Sequence, residues 1–249
     1  MNAIRVYDWP TRLFHWLFAG FFVTAFAIAN LVDDDSARFS LHMLAGLGMV
    51  FVVVLRLAWS TIGTRHARLG DLTLAPRQLG AYLKSIVTGG GRQWAGHNPA
   101  SSWAAVAMVG LAIGLGVTGW LMATGAESDA LEEAHELMAN GFLAIVLLHV
   151  GGVLVHMLRH RDRLAASMVT GTKQLQAGQL QPGASEPVRS RPLAGLAFGV
   201  LLAVFAGHVT QNYDAQARTL QLFGTTMQLG EDGHDGGHGR ERGHRSDDD

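Results

Sequence analysis

The chain contains no cysteine. That excludes disulfides, thiolate metal centres, iron–sulfur clusters and haem attached covalently through a Cys-x-x-Cys-His motif. Any haem must be held by other ligands. Charge is also scarce. Asp, Glu, Lys and Arg make up 16% of the 249 residues, well under the roughly 25% of ordinary soluble domains. A formal net charge of −1 provides no basic field for nucleic acid, which is not an expected partner. Positive charge is nearly missing from two connections: "DDDSAR" (33–38) and "AESDALEEAHE" (126–136) hold a single Arg between them.

What is abundant is apolar, and it is clustered. Four blocks run Leu13–Val32, Leu41–Ser60, Trp103–Thr124 and Leu137–Leu158, and a fifth runs from Leu193 to about Val209. Each approaches or exceeds the roughly 20 residues that cross a hydrocarbon core as a helix. The pattern predicts an all-α fold of four transmembrane helices plus a fifth, C-terminal one at 193–213. The remaining connections are basic. Arg5 and Arg12 precede the first block, Arg65, Arg68, Arg77, Lys84 and Arg92 lie in 60–102, and Arg159, Arg161, Arg163, Lys173, Arg189 and Arg191 lie in 159–192. The positive-inside rule then puts the N-terminus in the cytoplasm and, after five crossings, the C-terminus outside. The first block is long for a signal-peptide core and carries His15, so it is expected to be retained.

Between the spans, "LGAYLKSIV" (79–87) predicts an amphipathic interfacial helix with Leu79, Tyr82, Leu83 and Ile86 on one face. Residues 171–192 read as a cytoplasmic linker, and 214–249 as a flexible periplasmic tail rich in His, Asp and Gly. His234, His238 and His244 are expected to be part of that solvated tail rather than a metal site. Trp9, Trp16, Trp59, Trp94 and Trp103 read as interfacial anchors.

Five histidines lie in or at the edge of the first four spans: His15, His42, His135, His149 and His156. An ionisable side chain inside a membrane is costly, so its default reading is functional. Depth sorts them. Counted from outer boundaries near Leu31, Ser40 and Glu133, His42 and His135 lie two residues in, and His15 and His149 sixteen. At 1.5 Å per residue the two levels are about 3 Å and about 24 Å from the outer surface. His135, His149 and His156 are spaced by multiples of seven and share one face in a left-handed bundle. Two imidazoles at one level on facing helices are what a six-coordinate haem iron needs, and such closed ligation suits electron transfer. Zinc would need three or four clustered ligands, which two separate depths do not offer. Counted from the inner charges Arg12 and Arg159, His156 pairs with His15 instead. The shorter outer loops favour His149, and His156 is then a candidate contact for a quinone or an inner haem propionate. Arg12, Arg56 and Arg65 are candidate propionate anchors, Arg56 foremost because it lies within an apolar run.

The sequence resembles the bacterial cytochrome b561 family and the related b-type cytochrome subunit of nickel–iron hydrogenases. The resemblance rests on "VYDWPTRLFHWLFAG" (6–20), "LHMLAGLGMVFVVVLRLAWSTIGTRHARL" (41–69), "YLKSIVTGG" and "GHNPA" (82–100), "GVTGWLMATG" (116–125) and "HELMANGFLAIVLLHVGGVLVHMLRHRD" (135–162). It implies a di-haem transmembrane bundle over about residues 1–170 in the bacterial inner membrane, with two haem b. The implied iron ligands are His15, His42, His135 and His149. Ser101 departs from the pattern, which usually has Gly there, and the fifth block and tail extend beyond it.

The expected function is electron transfer between the quinone pool and a redox partner, with quinone as a candidate second cofactor. The acidic outer connections would suit a basic periplasmic partner such as a soluble cytochrome c. One alternative is a membrane anchor and electron conduit for a hydrogenase or another dehydrogenase subunit. Another is a superoxide:quinone oxidoreductase, which the acidic outer surface disfavours because it repels an anion.

Overall fold

The computed structural model of the protein describes residues 2–88, 94, 96–126, 128–160, 164–175 and 187–230. Five of its helices are long and apolar enough to cross a membrane: α1 (Trp9–Leu31), α2 (Ser40–Ile62), α4 (Pro99–Ala123), α5 (Asp129–His160) and α7 (Pro192–Asn212). Between them lie α3 (Pro76–Thr88) and a single turn, α6 (Ser167–Thr170). The helices begin up to eight residues before the apolar blocks do, because their starts are polar. Asp8 caps α1 by accepting a hydrogen bond from the Thr11 amide, Asn98 caps α4 by accepting one from Ser101, and a proline follows each cap within two residues. The first turn of α5 carries Asp129 and Glu132, favourable at the positive end of a helix dipole. Most of the "AESDALEEAHE" connection is therefore helix.

The near end of the bundle is where α1 begins, and the far end is where it stops. Helix α1 packs on α2, α4 packs on both α2 and α5, and α7 lies against α1 and α2. Small residues set the spacing of α4. A Cβ at Gly116 would collide with Val50 of α2, and one at Gly114 with Met138 of α5, so these two glycines let the helices approach closely. The main core joins Phe18 and Phe22 (α1), Met49, Val52 and Val53 (α2), Ala112 and Leu115 (α4) and Phe142 (α5).

Two small sheets are added to the helices. Strand β1 (Asn2–Arg5) pairs antiparallel with β2 (Thr172–Leu175), from Asn2 opposite Leu175 to Arg5 opposite Thr172. The Gly171 carbonyl accepts from the amides of Val6 and Tyr7, and Ser190 O accepts from Trp9 N. Gly171 has φ of 77°, and a Cβ there would lie 2.8 Å from Tyr7 O, so glycine closes α6 at this crossing. The expected linker is thus ordered at 171–175 and at 187–190. Residues 176–186 lie outside the described residues, as do Arg92, Glu127, Arg161 and Arg163.

The expected flexible tail is corrected more strongly. Tyr213–Asp214 (β3), Thr219–Leu222 (β4) and Thr225–Gln228 (β5) form an antiparallel meander in chain order. Asp214 Oδ1 accepts from the amides of Gln216 and Ala217 to shape the first turn. Phe223 and Gly224, with φ of 50° and 83°, form the two-residue second turn. Leu220, Leu222, Met227 and Leu229 are buried against the far ends of α2, α4 and α7. Burial of that apolar face overrides the polar composition of the segment as a whole. Residues 231–249, with His234, His238 and His244, lie outside the described residues.

Helix α3 is amphipathic as expected, but its faces differ. Leu79, Tyr82 and Ile86 turn toward the protein, whereas Leu83 and Val87 are exposed. Trp59 is no interfacial anchor. It is 7% exposed and donates from Nε1 to Asp8 Oδ2 at 3.1 Å.

Candidate functional site

At the far end His42, in the first turn of α2, faces His135 of α5, with ring centroids 6.2 Å apart and ring planes at 66°. Each ring is anchored through Nδ1. His42 Nδ1 lies 2.8 Å from Ala25 O of α1. A carbonyl only accepts, so this nitrogen carries the proton and Nε2 keeps its lone pair. His135 Nδ1 lies 2.7 Å from Thr118 Oγ1 of α4, and that hydroxyl donates back to Gly114 O at 3.0 Å. With the hydroxyl donating to the helix carbonyls it accepts from the imidazole, the tautomer that leaves Nε2 of His135 its lone pair. Fixing a histidine through its second nitrogen is how proteins orient metal-binding imidazoles. A metal–imidazole bond of about 2 Å on each side, with the two ring radii added, gives roughly the observed spacing.

At the near end His15 of α1 and His149 of α5 are close enough to interact electrostatically. His15 Nδ1 is buried without a hydrogen-bond partner among the described residues. An orphaned nitrogen in an apolar bundle is unfavourable unless a group other than the chain engages the ring. His156 sits half-buried seven residues further along α5. Between the two levels lies an aromatic layer. Phe142, 1% exposed and seven residues from both His135 and His149, stacks on Phe22 at 4.2 Å and meets Phe18 at 5.6 Å.

A polar cluster closes the near end. Asp8, 1% exposed, accepts from Thr11 N, Trp59 Nε1 and Thr64 Oγ1, the last at 2.5 Å. Arg56 is close enough to interact with Asp8; it donates to Ala67 O at 2.7 Å and lies over the ring of Phe14. The Arg12 guanidinium donates to the carbonyls of Met168 and Val169. Arg12, Arg56 and Arg65 stay the candidate propionate anchors, with Arg56 foremost because it lies within an apolar run.

His97, just before α4, meets Tyr7 edge to face at 5.9 Å. Burial, followed by the charges of Arg56, His66, His149 and His15, pushes His97 down to about 4. Burial pushes the Tyr7 phenol up to about 12. Burial also lowers His66, with Asp71 opposing. Asp8, Tyr7, His97 and Phe142 were not singled out in the sequence. The available signals were the helix-start pattern Asp-Trp-Pro for Asp8 and the heptad position midway between two histidines for Phe142.

The donor sets fit haem. Among the described residues no three His, Asp or Glu side chains converge to hold a metal ion. Each site offers two imidazoles and leaves the remaining coordination to a planar group such as a porphyrin. Such a bundle, with half-buried imidazoles grouped at two depths and no thiolate, defines a membrane-bound b-type cytochrome. The pattern of the prokaryotic cytochrome b561 family matches residues 6–171, and the chain belongs to that family. It is a multi-pass bacterial membrane protein with an electron-transfer role. Two relatives bear the name probable Ni/Fe-hydrogenase B-type cytochrome subunit. The one from Rhizobium leguminosarum bv. viciae is 22% identical, with 69% of this chain and 89% of the relative covered. The one from Cupriavidus necator is 23% identical, with 69% and 87% covered. No solved structure matches the chain significantly.

Proposed function

We propose that the chain carries electrons across the bacterial inner membrane between the quinone pool and a redox partner, through two bis-histidine b haems. His42 and His135 are the ligands at the far end, and His15 and His149 those at the near end. The observation that carries this reading is the far pair: two imidazoles 6.2 Å apart, each tethered through Nδ1. Haem supplies reversible one-electron chemistry when bound. The chain's own residues do the rest. Ala25 O and Thr118 Oγ1 hold the far rings in register, the Phe18–Phe22–Phe142 layer excludes water between the levels, and Arg56 is the foremost candidate cation for a near-end propionate. The near end, with the basic connections, is cytoplasmic, and the far end periplasmic. Quinone meets the near end, beside His15, His156 and the 60–102 connection.

Two partners compete. The relatives' name favours a hydrogenase, for which this chain would be anchor and conduit. The exposed carboxylates Asp33, Asp34, Asp35, Asp129, Glu132 and Glu133 at the far end favour a basic soluble cytochrome c. Reconstitution in liposomes separates them. Quinol in the bilayer should reduce the haems, and added cytochrome c should reoxidise them at a rate that falls with salt. Haems that quinol leaves oxidised would contradict the quinone link. Salt-independent or absent reoxidation by cytochrome c would favour the dehydrogenase partner.

A further inference from the structure

The first turn of α2 carries His42 and follows directly on a 3-10 turn, Ala37–Phe39, capped by Ser36, whose hydroxyl accepts from the Arg38 amide. The cap residue Phe39 is in the αR conformation and provides no side-chain hydrogen bond, and no acidic residue lies in the turn. Beyond the Ser36 cap and α1, the turn is held by residues 213–229. Ser40, 1% exposed and two residues before His42, donates its hydroxyl to Leu229 O at 2.6 Å. Met43, Leu44 and Leu47 of α2 pack against the buried face of the β3–β5 meander. The same pad covers Trp120 and Ala123 of α4, two and five residues beyond the Thr118 that tethers His135. Arg218 donates to Asp35 O at 2.7 Å and clips the meander to the loop that leads into α2.

We propose that the meander at residues 213–229 is a positioning element for the far-end site: it splints the His42 turn through Ser40 and shuts that end of the bundle to water, thereby raising the reduction potential of the haem held there. This rests on the assignment of His42 and His135 as haem ligands. The physical link is charge. Oxidised bis-imidazole haem bears one more positive charge than reduced haem, and excluding water disfavours the more charged form. The meander lies beyond residue 171, where the family match ends.

The test is an optical redox titration of the purified full-length protein beside four variants: truncation after residue 212, truncation after residue 230, Ser40→Ala and Ser40→Thr. Truncation after 212 should lower one haem's midpoint potential, open that haem to carbon monoxide and leave the other unchanged. Truncation after 230 and Ser40→Thr should match the full-length protein. Ser40→Ala should shift the same haem downward by less. Unchanged potentials in a two-haem protein truncated after 212 would overturn the proposal. If that truncation does not accumulate, unchanged potentials in Ser40→Ala overturn it equally. Full haem content in a His42→Ala variant would instead overturn the ligand assignment, a separate failure.

Discussion

Each far-end imidazole has one nitrogen engaged by the chain and one left over. That division is what a ligating imidazole requires: one nitrogen oriented by the chain and the other kept for a metal. Asp8 is the converse case: its two oxygens serve three donors, and all three donors belong to elements that close the near end. Replacing Asp8 by Ala removes the α1 cap, worth about 1 kcal/mol, and strands the buried Trp59 N–H, worth about 1–3 kcal/mol. Thermal unfolding in detergent should show a loss of about 3 kcal/mol, and Trp59→Phe in the same background should recover part of it. His97 gives a pH signature. Its folded-state value of about 4 lies below the unfolded value of about 6.5, so the unfolded chain binds more protons between the two. Stability should therefore fall as pH drops from about 6.5 toward 4, and His97→Gln should flatten that slope. Equal slopes for the two proteins would assign the pH dependence elsewhere.

Among the elements, α5 bears the most function on one stripe. His135, Phe142 and His149 recur every seven residues, which keeps all three on the bundle side. Phe142 is the hub of the layer between the two levels, and Phe142→Ala should cost about 3–5 kcal/mol, with Phe142→Leu costing less, as read by the thermal midpoint in one detergent. The spans and the histidine stripe were legible in the sequence, since hydropathy and a seven-residue period survive without knowledge of contacts. The helix starts were not read because they are polar, although Asp8 and Asn98 carry the cap-and-proline signal. The meander was hidden by its neighbours. Leu220 and Leu222, then Met227 and Leu229, alternate with polar residues, a period of two, but the Gly- and His-rich stretch after residue 230 dominated the composition of the tail. The Asp8–Trp59–Thr64 cluster joins residues up to 56 positions apart, and no local pattern announces such a contact.

At the scale of the whole molecule, both chain ends do structural work at opposite faces. The N-terminal strand is tied to residues 172–175 at the near end, and the C-terminal meander covers the far end. Five crossings make those faces different compartments. A reporter active only in the periplasm should work when fused after residue 230 and fail when fused after residue 175, and the reverse pattern would invert the orientation. The central claim is that the half-buried imidazoles bind two haems in the pairs His42–His135 and His15–His149. The most direct measurement is haem stoichiometry with a reduced-minus-oxidised spectrum for wild type and for His42→Ala, His149→Ala and His156→Ala. Two b haems in wild type, one lost in each of the first two variants and none in the third, is the predicted result. Loss of a haem with His156→Ala while His149→Ala retains both, or a wild-type protein without haem, would contradict the account.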